Sequence, residues 1–105
     1  MQTYFSETKP IHRHRLIRRA KEAISTELDG ETVILHIGTG IYSGLDRVGT
    51  TIWNGLEQPA SFLSLKQKIL KEYEVSEQQC ITDLCSFLND LINNQLIIVE
   101  DEQIL

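Results

Sequence analysis

No stretch of the 105 residues approaches the roughly 20 consecutive apolar positions of a membrane-spanning helix. The opening MQTYFSETKPIHRHRLIRR lacks the apolar centre of a secretory signal, so the expected compartment is the cytoplasm, with no membrane partner. Cysteine is nearly absent. Cys80 and Cys85 stand five apart, about 500° around a helix, so their side chains diverge. Two buried thiols are expected there, and neither a disulfide nor a shared metal. Histidine is confined to His12, His14 and His36. The first two lie in a basic stretch that repels a metal ion, with no acidic or Cys partner nearby. His36 alternates with apolar residues and is expected on the wetter face of a strand.

The chemistry of a catalytic site is also missing. The stretch HIGTGIYSGL is rich in glycine, but no Lys-Ser/Thr follows it and no helix starts from it, as a phosphate loop requires. Its last two glycines, Gly40 and Gly44, stand one residue too far apart for a dinucleotide fingerprint. The glycines are therefore expected to turn the chain. Neither cysteine has a neighbouring His or cation that would generate a thiolate. No two carboxylates have the setting of an acid/base pair. The expectation is a protein that is not an enzyme, with no catalytic residue, no metal and no cofactor.

What the sequence does contain is uneven charge and clear periodicity. Residues 1–21 carry six basic groups (Lys9, Arg13, Arg15, Arg18, Arg19 and Lys21) and one acid, Glu7, whereas the remainder carries four basic groups against fourteen acids. A basic arm precedes an acidic body: it is a solvated tail, folds back on the body, or reaches an acidic surface of a partner. From Ala23 the pattern has a period of two. Asp29-Gly30 marks a hairpin between ISTEL and ETVILHI, and GTG a second turn before IYSGL. Together they give a three-stranded antiparallel meander whose third strand lies at an edge.

The period then lengthens to that of helices. Asp46 can cap a helix carrying Val48, Ile52, Trp53 and Leu56, and EQPAS ends it. Ser61 can cap a second, with Leu65, Ile69, Leu70 and Tyr73. Ser76 and Gln79 fit a capping box before a third, with Ile81, Leu84, Cys85, Leu88, Leu91 and Ile92 at core spacing. LIIVE closes the pattern as a short strand or extended piece. The expected class is α+β, a winged helix-turn-helix with a three-stranded antiparallel sheet followed by a three-helix bundle. Such folds often bind nucleic acid, and a nucleic-acid-binding or regulatory protein is the alternative function. The third helix argues against DNA: it holds no Lys or Arg, and Glu77, Asp83 and Asp90 would be repelled by phosphates.

Two features suit a peptide instead. An edge strand offers backbone groups to an incoming strand. On the third helix Cys80, Asp83, Phe87 and Asp90 recur at three- and four-residue steps, a face distinct from the core stripe, although Phe87 also fits a core position. The segments LDGETVILHIGTGIYSGLDRVGTTIWNGL and YEVSEQQCITDLCSFLNDLINNQLI resemble the pyrroloquinoline quinone synthesis protein D family, which includes the recognition proteins of lasso-peptide pathways. The resemblance rests on Asp29-Gly30-Glu31, the strands around Gly40 and Tyr42, Leu45, Ile52-Trp53, Tyr73, Asp83 and Leu96. It covers about residues 23–99. Asp46 departs from the Asn usual in the family, and the basic arm is longer than usual.

The resemblance implies a non-catalytic recognition element. It would bind the leader of a ribosomally made precursor peptide as a strand beside the third strand, facing the third helix. It would then present that peptide to a maturation enzyme: a protease, cyclase or radical enzyme. Carried over by position, the peptide-binding residues are Ile41, Tyr42, Ser43 and Leu45, with Cys80, Asp83, Leu84 and Phe87 opposite. The organisation expected is a basic arm over residues 1–22, a recognition domain over 23–99 and a tail over 100–105. A homodimer through the free edge is a further option.

Overall fold

The computed structural model describes residues 4–7 and 14–100. Lys9, His12 and Arg13 of the basic arm, and residues 101–105 of the tail, lie outside the described residues. In chain order the elements are β1 (Leu16–Arg19), β2 (Ala23–Leu28), β3 (Glu31–His36), β4 (Tyr42–Leu45), α1 (Arg47–Asn54), β5 (Ala60–Ser61), α2 (Phe62–Glu72), α3 (Glu77–Asn93) and β6 (Ile97–Val99). The α+β class is observed. The meander is the antiparallel sheet β2-β3-β4, and a second antiparallel sheet has the order β5-β1-β6.

Local chemistry accounts for the meander. Asp29 and Gly30 both take positive φ, 56° and 80°, the backbone of a two-residue hairpin turn that pairs Leu28 with Glu31. At the second turn the Gly40 N–H donates to the His36 carbonyl at 2.8 Å, with Gly40 at φ 73°. The glycine-rich stretch thus turns β3 into β4. Each helix starts on its expected cap. Asp46 accepts from the Gly49 N–H at 2.8 Å, Ser61 from Ser64 at 3.1 Å and Ser76 from Gln79 at 3.0 Å. The reciprocal half of the capping box is not formed; the Gln79 side chain runs along the helix instead, with Nε2 donating to Asp83.

One apolar cluster joins both sheets and all three helices, with Ile17, Ile34, Trp53, Phe62, Leu84 and Leu88 fully enclosed. Both cysteines are free and buried in it. His36 also faces this core and is only 6% exposed, which corrects its expected place on the wetter face. The inward set on β3 is Thr32, Ile34 and His36, while Val33, Leu35 and Ile37 point away. The two inward polar groups find partners. Thr32 Oγ1 hydrogen-bonds Thr50 Oγ1 on α1 at 2.8 Å, and His36 Nδ1 accepts from the Thr39 N–H at 3.1 Å.

The basic segment contains more structure than expected of an arm. Its residues 16–19 form the central strand of the second sheet, with Ile17 and Arg19 turned inward and Leu16 and Arg18 outward. Arg18 pairs with Glu100 at 3.2 Å. Further upstream Phe5 lies in the core, its ring stacked on Phe62 with centroids 5.5 Å apart. Asn89 holds the backbone there: Oδ1 accepts from the Tyr4 and Phe5 N–H groups, each at 2.9 Å, and Nδ2 donates to the Phe5 carbonyl at 2.9 Å.

Candidate functional site

β4 is an edge strand of the meander, paired on one side with β3. The His36 N–H donates to the Ile41 carbonyl at 3.0 Å, so Ile41 directs its backbone carbonyl toward β3. Alternation along the strand then aims the N–H and C=O groups of Tyr42 and Gly44 toward the open edge. These four groups offer the hydrogen bonds of an added strand.

Beside the edge, where β4 leads into α1, lies a cavity of about 310 Å³. Val48, Gly49 and Ile52 of α1, Ile69 at the end of α2, Tyr73 and Val75 in the following turn, and Cys80, Leu84 and Phe87 of α3 line it, with Asp46 and Asp83 contributing carboxylates. Gly49 shapes this space. A Cβ on it would lie 3.0 Å from Phe87 Cε1 and 3.3 Å from both Leu45 Cβ and Asp46 Oδ1. Leu45 of the strand and Phe87 of the helix therefore converge where residue 49 has no side chain.

The expected peptide-binding residues divide into three groups. Cys80, Asp83, Leu84 and Phe87 line the cavity together, with Cys80 and Leu84 fully buried and Phe87 half-buried. Ile41 and Ser43 instead line a smaller hollow of about 90 Å³ against Asn93, Asn94, Gln95 and Leu96, at the far end of α3. Leu45 lines neither space and packs on the core beside Gly49. Tyr42 belongs to neither. It pairs with Leu35 in the register, points to the outer face of the sheet and is 68% exposed. Its backbone serves the edge while its ring faces away from α3.

Val48, Gly49, Ile52, Ile69, Tyr73 and Val75 were not expected in the site. Val48, Ile52, Ile69 and Tyr73 stand at apolar helix spacing, Gly49 and Val75 carry no such signal, and only packing of three helices turns them toward a common space. Burial pushes the Cys80 thiol up, with Asp83 and Glu77 adding to the shift and Lys66 opposing it, so the sulfur is held protonated in this wall. Among the described residues no group of three His, Cys, Asp or Glu side chains is placed to hold a metal, and no helix is long and apolar enough to cross a membrane.

Fold and site define a small α+β domain with an open β edge beside an apolar cavity. The family model of coenzyme PQQ synthesis protein D matches residues 31–97, and the chain belongs to that family. A solved complex of TbiB1 with the TbiA(beta) leader peptide is 35% identical, with a TM-score of 0.73, over 82% of this chain and 98% of that one. A lasso peptide synthetase B1 complexed with the leader peptide is similar in fold, at 22% identity and a TM-score of 0.65, over 78% of this chain and 96% of that one. A comparison with curated proteins gave no match.

Proposed function

We propose that this protein binds the leader of a ribosomally made precursor peptide, without catalysis of its own, and presents it to a maturation enzyme. The observation that carries this reading is the open β4 edge beside the cavity, in a chain similar to TbiB1, whose solved complex holds a leader peptide. The leader adds as a fourth strand on the backbone of Tyr42 and Gly44. A backbone ladder has little sequence dependence, so specificity resides in side-chain pockets. The cavity between α1, α2 and α3 accepts one apolar or aromatic leader side chain past Phe87. The hollow between Ile41 and Asn94 accepts a smaller one.

Two properties of the chain support a binding role. The cavity walls are apolar, with carboxylates only at Asp46 and Asp83. The one thiol in them is buried and protonated, which disfavours nucleophilic chemistry. The maturation enzyme is a protease, cyclase or radical enzyme, and the cytoplasm is the compartment in which it meets the precursor.

Titration with the leader of a precursor encoded beside this chain tests the reading. Saturable binding with mild salt dependence is expected, and precursor incubated with the protein alone keeps its mass. Steeply salt-dependent binding of duplex DNA with no leader binding overturns it.

A further inference from the structure

The sheet β2-β3-β4 buries its less apolar face. On the helix side it carries Thr32, Ile34 and His36 from β3, Ala23, Ser25 and the exposed Glu27 from β2, and Ser43 and Leu45 from β4. Toward solvent it directs Ile24, Leu28, Val33, Leu35 and Tyr42, with Thr26 the one uncharged polar residue among them, and Ile37 continues this row beyond β3. Leu28 is 75% exposed and Ile24 55%. Among the outward positions of these strands Glu31 alone carries a charge at neutral pH, on a chain with fifteen acids and ten bases. A solvated sheet face normally shows the opposite distribution.

We propose that this outer face is a self-association surface, which stacks on the same face of a second copy of this chain. The six side chains other than Thr26 expose on the order of 500 Å² of largely apolar surface, at the upper end of what monomers carry. Doubled across a two-fold axis, that approaches the lower bound for a specific interface, so the dimer is weak and concentration-dependent. The face is also chemically self-compatible. It brings two Glu31 carboxylates and no other charged side chain from these strands into the contact, although each copy has a net charge of −5. Gly44, paired with Val33, contributes no side chain, and nothing lies within 4 Å of where its Cβ would be. Face-to-face stacking of two such sheets is a standard packing, about 10 Å apart.

This surface is separate from the proposed leader site, which uses the β4 backbone edge and the helical side. The two are therefore testable apart. Sedimentation equilibrium of the full chain without leader, from about 1 μM to 1 mM, should show the mass rising from 12.0 kDa toward twice that value. Added salt should strengthen the association, because it screens repulsion between acidic copies and favours apolar contact. Val33→Lys should leave a monomer at every concentration, with its circular dichroism spectrum and leader affinity unchanged within about threefold. Leu28→Lys, at a more exposed position, should do the same, so a folding defect in one variant does not decide the matter. A monomer throughout overturns the proposal. So does a dimer that survives both substitutions, or one that dissociates only when leader fills the β4 edge. A monomer whose maturation enzyme no longer binds after Val33→Lys assigns the face to that enzyme and likewise overturns it.

Discussion

The guanidinium carbon of Arg19 lies 4.3 Å from the centroid of the Trp53 ring, and its Nη2 donates to the Trp53 carbonyl at 2.6 Å. Trp53 Nε1 in turn donates to Ser25 Oγ at 2.9 Å. Through these contacts β1 of one sheet, β2 of the other and helix α1 meet at a single indole. Burial lowers the proton affinity of Arg19, with Glu57 opposing, as expected of a cation taken partly out of water against an aromatic face.

Arg19→Ala should lower unfolding free energy by about 2 kcal/mol, from the ring contact and a charge-assisted hydrogen bond together. Arg19→Lys should recover part of this, since an ammonium keeps the charge but not the planar fork. Urea unfolding measures both. Leader affinity should change less than threefold, because the contact lies outside the proposed cleft.

The N-terminal clasp is a larger contributor. Phe5→Ala empties a core site stacked on Phe62 and should cost about 3 kcal/mol. Asn89→Ala removes the amide that holds the Tyr4 and Phe5 backbone. The two losses should fall short of additive in a double-mutant cycle, because either change releases the same segment.

Gly49→Ala should weaken leader binding more than it changes stability. Its Cβ would press on the Phe87 ring at 3.0 Å and narrow the cavity mouth. Phe87→Ala should also reduce affinity, by about tenfold or more, if its ring packs on the leader anchor. Calorimetric titration of both variants, alongside thermal melts, separates binding from folding.

Replacing alternate leader amides by N-methyl groups should identify those paired with Tyr42 and Gly44. Each lost backbone hydrogen bond should cost about 1 kcal/mol, roughly fivefold in affinity, while methylation of the intervening amides has little effect. Equal loss at every position would contradict strand addition.

Cys80 gives a pH prediction. Its thiol is raised above the usual 9.0 by burial, so the folded state retains a proton that the unfolded chain releases. The contribution is complete below about pH 9 and declines as pH rises toward the folded value. Stability of the wild type should therefore fall more steeply above pH 9 than that of Cys80→Ala, measured by urea unfolding across that range.

Much of this fold was legible along the chain. Asp29-Gly30, the three helix caps and the core spacing of α3 act through neighbours a few residues away, so their chemistry is written in sequence order. The position of β4 at an edge followed from two short turns. The face of the sheet did not follow. Val33, Leu35 and Ile37 look like the buried set on β3, yet Thr32, Ile34 and His36 are inside. Period-two alternation separates two faces without saying which one meets the helices. That choice depends on Thr50 and Thr39 supplying partners for the two polar side chains.

The basic segment shows the same boundary. Its charge suggested a solvated arm, but Arg19 is inward because Trp53, 34 residues away, offers a ring and a carbonyl. The cavity likewise needs three helices brought together around Gly49. Local propensity and capping set where strands and helices begin. Which of their faces is buried, and what space is left between them, is decided by contacts between residues distant in the chain, and only tertiary packing supplies those.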